Sequence, residues 1–151
     1  YADVPITTED HANVLLRFDN GNRGSITVSQ VSAGRKNQLR LEISGSKKTF
    51  AWNSEAPNTV WIGNRNSYNE VLMRDPSLAY PEASAIMTFP GGHNEGFPDT
   101  SKHLFKEVYQ AVAAGKPPER PSFPTFADGH RELLICERIL ESNKSQGWVK
   151  V

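Results

Sequence analysis

Alternation dominates the first half of the chain. In "HANVLLRF", Val14, Leu16 and Phe18 fall on one side and Asn13, Leu15 and Arg17 on the other. That is the period-two pattern of a strand with one apolar face. "DNGN" follows, and Asn20-Gly21 tolerates the positive φ of a tight hairpin. "RGSITVSQV" is predicted to return beside it, with Ile26 and Val28 opposed to Thr27 and Ser29. "QLRLEIS" repeats the pattern with Leu39, Leu41 and Ile43. "KKTFAW" and "NTVWIGN", joined by "NSEAPN", read as a second hairpin, and "NEVLMRD" as a further strand. Such a meander is antiparallel, with one apolar face in need of a cover.

The period lengthens after a Pro- and Gly-rich stretch from Pro76 to Pro98. Between Asp99 and Ala114, Leu104, Phe105, Val108, Tyr109 and Val112 share a helical stripe. Pro98 and Asp99 are start signals; Gly115 and "KPP" are stop signals. A second helix is predicted to open near Thr125, with Asp128 three residues on in a variant capping box. It runs to about Lys144 with Leu133, Cys136, Ile139 and Leu140 inward, and Gly147 ends it. "WVKV" is expected to return as a last strand. Strands followed by helices predict an α+β fold: an open, mostly antiparallel sheet with helices packed on one face.

Composition narrows the partners. The 151 residues carry 17 Lys plus Arg against 17 Asp plus Glu. No net field recruits nucleic acid or an anionic membrane, so neither is an expected partner. No apolar run has the length of a membrane-spanning helix. The single cysteine, Cys136, excludes an internal disulfide and a cysteine-based zinc site. A reducing, cytoplasmic setting is the corresponding expectation. The chain begins "YADVPITTEDH", without Met, which is expected of a processed chain or of a domain taken from a longer one.

Candidate chemistry concentrates in "FPGGHNEGFPDT", Phe89 to Thr100. Gly91-Gly92 permits a sharp turn or a close approach to a ligand. Glu95 is placed to orient the His93 imidazole, and the helix start behind them offers free amides. This suits a loop that meets hydroxyl-bearing ligands. The same glycines suit a loop that folds over a sheet edge, and the residues leave both readings open. His93, Glu95, Asp99 and His103 suggest a metal only superficially, because nothing brings the loop pair to the helix pair; no metal is expected. Asp99 is read instead as the helix-capping carboxylate and His103 as a surface helix residue. "SAGRKN" presents Arg35 and Lys36 at a loop tip, suited to an anion or simply solvated. Trp52 and Trp61 flank a turn and suit sugar stacking, cross-strand packing or a subunit contact. Cys136 reads as a core residue. No Gly-x-Gly-x-x-Gly, Walker loop or Gly-x-Ser-x-Gly elbow is present.

Several long phrases go further. "TTEDHANVLLRFDNGNRGSITVSQVSAGRKNQLRLEISGSKKTFAWNSEAPNTVWIGN", "PGGHNEGFPDTSKHLFKEVYQAVAAGK" and "FPTFADGHRELLICERILES" together resemble the C-terminal domain of the glucose–fructose oxidoreductase / inositol dehydrogenase / MocA family. The resemblance runs through nearly the whole chain, 1–151. It implies a two-domain oxidoreductase that moves a hydride between a carbinol carbon and NAD or NADP, with a sugar, sugar derivative or polyol as substrate. It also implies an upstream Rossmann domain, a Glu-Lys-Pro motif with a catalytic Lys and a helix with a catalytic His. None of these is in this stretch, so no catalytic or cofactor-binding residue is assigned to it. The isolated chain is expected to bind no cofactor and to be inactive. By the same resemblance, Gly92, His93 and Glu95 become candidate substrate contacts. Arg35, Lys36 and Asn37 lie in a loop assigned to the same side. A homodimer through the open sheet face is expected. The competing expectation is a non-catalytic carbohydrate-binding or assembly module.

Overall fold

The computed structural model describes residues 3–116 and 118–151. The chain divides into two compact units, one formed by the residues up to Lys36 with Phe126–Val151, the other by Asn37–Thr125. The α+β class and the open antiparallel sheets follow the alternating and helical patterns. The strands form two sheets, however, where one was expected.

In the first unit β1 (His11–Arg17) pairs antiparallel with β2 (Arg23–Ser29). Val14 faces Ile26, and Ala12 faces Val28. The hairpin closes at the Asn20-Gly21 turn, where the Gly21 amide donates to the Phe18 carbonyl at 2.9 Å. Helix α3 spans Phe126–Ser145 in the same unit. Its half-buried residues are Gly129, Leu134, Ile135, Arg138, Ile139 and Ser142, while Leu133, Cys136 and Leu140 are exposed. The expected inward stripe is therefore rotated, and Cys136 is not a core residue. Two adjacent stripes, 133/136/140 and 134/135/138, both contain apolar groups, so periodicity does not choose between them. The expected closing strand is also absent: Trp148–Val151 joins no sheet. The Arg17 guanidinium lies 3.8 Å from the centre of the Trp148 ring, so this tail meets β1 through a cation–π contact and not through a backbone ladder.

The second unit holds a four-stranded meander in the order β3 (Arg40–Ser44), β4 (Lys48–Asn53), β5 (Thr59–Asn64), β6 (Glu70–Met73). The register separates two faces. Leu41 pairs with Trp52, Ile43 with Phe50, Phe50 with Ile62 and Trp52 with Val60, which makes one face apolar. The other carries Arg40, Glu42, Thr49, Asn53 and Thr59, together with Trp61 and Val71. Trp61 lies flat along its own strand: a Cβ at Gly63 would sit 2.4 Å from the indole, so only glycine leaves room for the ring. A four-residue helix, α1 (Pro81–Ser84), precedes α2 (Phe97–Ala113). Helix α2 starts two residues before the expected Asp99, with Gly96 as its N-cap and Pro98 within the first turn, where the missing N–H has no helical partner to lose.

Neither unit encloses a core: among the described residues no side chain is fully buried. In α2 the expected inward residues Leu104, Phe105, Tyr109 and Val112 are all exposed, and only Val108 of that stripe is half-buried. The chain exposes 13318 Å², whereas two separate compact bodies of these lengths would together expose about 9200 Å².

Candidate functional site

The stretch from Thr88 to Gly96 leads from α1 into α2, and the sheet holds it through a compact polar network. Its anchor is Arg74, directly after β6. A guanidinium has five N–H donors in a rigid plane. Here Nε donates to Asn58 Oδ1 at 3.0 Å. Nη1 donates to the Phe89 carbonyl at 2.7 Å and pairs with Glu95 Oε1 at 3.1 Å. Nη2 donates to the Pro90 carbonyl at 3.2 Å and also to the His93 carbonyl. Four hydrogen bonds and one ion pair thus fix the guanidinium.

Glu95 completes the network from the other side. Its Oε1 accepts the Thr88 and Phe89 amides, each at 2.7 Å. Both charged side chains are only 11% exposed, so the pair sits where removal of either partner leaves an unmatched, partly desolvated charge. Asn58 is matched to the main chain of Glu95 in both directions. It accepts the Glu95 amide at 2.9 Å and donates to the Glu95 carbonyl at 3.0 Å. A side-chain amide thus does the work of a neighbouring strand, extending β5's hydrogen bonding onto the loop.

The tight path of the loop explains its glycines. A Cβ on Gly91 would stand 2.8 Å from Asp75 Oδ2, and Gly92 takes a φ of 82°, where side chains are disfavoured. Asp75 is itself fixed by Ser77, whose hydroxyl and amide both donate to its Oδ1. Those bonds hold the Asp75 carboxyl below the ordinary value of 3.8. At the far end of the loop, Asp99 accepts the Gly96 amide at 2.9 Å, as expected of a capping residue. That bond, with the adjacent Lys102 ammonium, likewise lowers the Asp99 pKa. Lys102 also donates to Thr88 Oγ1 at 3.0 Å, and Thr88 Oγ1 lies 3.4 Å from His103 Nε2. His103, expected as a surface helix residue, lies in α2, half-buried and in contact with the loop.

The expected loop residues therefore separate by role. Gly92 shapes the turn. His93 is exposed, and among the described residues its ring makes no hydrogen bond; only its main chain is held, the amide donating to Pro90 at 3.3 Å. The Glu95 carboxylate turns to Arg74 and two amides, so it does not orient the His93 imidazole as expected. Among the described residues no group of three His, Cys, Asp or Glu side chains is placed to hold a metal ion. Arg35 and Lys36 are exposed in the other unit, on a turn with Gly34 at φ 83°; Asn37, at φ 57°, opens the unit of the loop. Trp61 and the nearby Arg40, Glu42 and Asn53 line a shallow concavity on the polar sheet face. Trp52 lines it too, and its indole donates to the Pro57 carbonyl at 3.1 Å within its own hairpin. Asn58 and Arg74 had no local signal: they read as a turn residue and a strand end, and their loop partners lie 15 to 37 residues away.

A profile of the oxidoreductase family's C-terminal alpha/beta domain, the Gfo/Idh/MocA group, matches residues 2–151. The chain belongs to this family. Among curated members it is 26% identical over 153 residues to levoglucosan dehydrogenase from Pseudarthrobacter phenanthrenivorans, covering 97% of this chain and 37% of that protein. An oxidoreductase from Sinorhizobium meliloti of known structure shares 27% identity with a TM-score of 0.88, over 96% of this chain and 42% of that one. An inositol dehydrogenase homolog from Azotobacter vinelandii, solved with NADH and myo-inositol, matches with a TM-score of 0.81 over 95% of this chain and 39% of that one. At 24% identity that last likeness is one of fold. This Gfo/Idh/MocA chain thus spans about two fifths of the length of the relatives it matches.

Proposed function

We propose that this chain is the substrate-binding and dimerisation domain of an NAD(P)-dependent oxidoreductase acting on a sugar, sugar derivative or polyol. The observation that carries the reading is the family match across residues 2–151. The 26% identity to a levoglucosan dehydrogenase points the same way. In this reading Phe89–Gly96 meets the substrate, and His93 offers an exposed imidazole, able to donate or accept a hydroxyl hydrogen bond. The nicotinamide supplies the hydride chemistry, and this domain contributes position. Arg35, Lys36 and Asn37 are assigned to the substrate side as secondary contacts.

The test is a screen of the full-length gene product against cyclic polyols and anhydrosugars with NAD and NADP, read by reduced-nicotinamide absorbance. Turnover of at least one such substrate is expected, with none from the 151-residue chain by itself. Turnover by the isolated chain would reject its dependence on a separate cofactor domain, and a full-length protein inert to the whole class would reject the reading in favour of a non-catalytic module. The Trp61 concavity is the feature such a module would use.

A further inference from the structure

We infer that Arg74, Asn58 and Glu95 form a positioning clasp for the substrate-facing loop, and that Glu95 serves the substrate only through this clasp, not as a direct ligand. The inference rests on the substrate-side reading of Phe89–Gly96 proposed above.

Three observations carry it. The carbonyls of Phe89, Pro90 and His93 converge on one point, an arrangement that repels itself unless a cation fills it; Arg74 fills it with its Nη1 and Nη2 donors. One of those carbonyls belongs to His93, so the residue that carries the exposed imidazole is gripped at its own peptide. Glu95 Oε1 already takes two amides and pairs with the guanidinium, and the side chain is only 11% exposed, so the carboxylate is turned to the loop's interior. A lysine cannot replace Arg74, having three donors where five acceptors wait.

The experiment is a double-mutant cycle in the full-length oxidoreductase: Arg74→Met, Glu95→Gln, both together, and Arg74→Lys. Two quantities are read. The first is amide hydrogen exchange in the peptide spanning 88–96, with the β4–β5 hairpin as the folding control. The second is steady-state kinetics with myo-inositol and levoglucosan, whichever is turned over. Each single substitution is expected to accelerate exchange at Thr88 and Phe89 while the hairpin stays protected. Each is expected to raise the KM for the carbon substrate roughly ten- to a hundredfold, leaving the nicotinamide KM unchanged. The double variant should be no worse than the poorer single, because both remove the same device. Arg74→Lys should not rescue. Independent, multiplicative effects, or a Glu95→Gln variant with raised KM and unchanged exchange, would overturn the clasp and make Glu95 a direct ligand. Faster exchange with unaltered KM would keep the anchoring but overturn the substrate-side reading on which its functional role depends.

Discussion

At the scale of single residues, neighbouring positions in the loop have opposite duties. His93 and Glu95 are two apart and both polar, yet one projects into solvent and the other is held at 11% exposure by an arginine. A carboxylate beside a guanidinium in a half-desolvated setting stays where the charge is matched. An imidazole with no hydrogen-bond partner among the described residues is available for a ligand. In the full-length enzyme, His93→Ala should therefore raise the KM for the carbon substrate by about tenfold, the equivalent of one good hydrogen bond, with cofactor affinity unchanged. Initial-rate kinetics with each substrate varied in turn checks this; an unaltered KM removes His93 from the site.

At the scale of elements, the start of α2 is tied to pH through Asp99. The Gly96 amide lowers its pKa below 3.8, so the folded state prefers the ionised carboxylate more than the unfolded chain does. That stabilisation is complete above the unfolded value and is lost as pH falls through the lower, folded one. Asp99→Asn should lower the urea midpoint at neutral pH, and the gap to the parent protein should close as the solution is acidified below pH 3.8. Denaturation curves at several pH values measure it. Elements were also the most legible feature of the sequence. Alternation located the first three strands and a hairpin pattern the next two, with NEVLMRD completing the six of the described residues, and Asn20-Gly21 marked the first turn, because strand period and turn chemistry are local. What escaped was non-local. The choice between two apolar stripes on α3 depends on what they face, the division into two sheets depends on pairing across the chain, and the Arg74 network joins residues from three separate segments. The loop itself was conspicuous through Gly91 and Gly92, but the inward turn of Glu95 required knowledge of a partner 21 positions upstream, at Arg74.

At the scale of the whole molecule, the dominant fact is uncovered apolar surface. Leu41, Ile43, Phe50 and Leu72 are each about half exposed on one face of the four-stranded sheet, and Trp61, Val71 and Met73 are exposed on the other. A standard protein interface takes about 800 Å² from each partner, well within the excess this chain displays. The proposed homodimer would use the polar face, where Arg40 and Glu42 lie close enough to pair at 3.8 Å and Trp61 supplies an aromatic anchor. The full-length protein should sediment as a dimer, and Trp61→Asp should shift it to monomer without loss of the circular-dichroism spectrum. A monomeric parent at high concentration would reject this interface.

The clasp has a consequence for how such a domain can diversify. Arg74 grips the loop chiefly by main-chain carbonyls, those of Phe89, Pro90 and His93, which are chemically the same whatever side chains they accompany. Residues 93 and 94 can therefore be exchanged without loosening the grip, while Asn58, Arg74, Gly91, Gly92 and Glu95 cannot. On the substrate-side reading proposed above, this fixed frame around two interchangeable positions lets new specificities be reached one substitution at a time on an unchanged backbone.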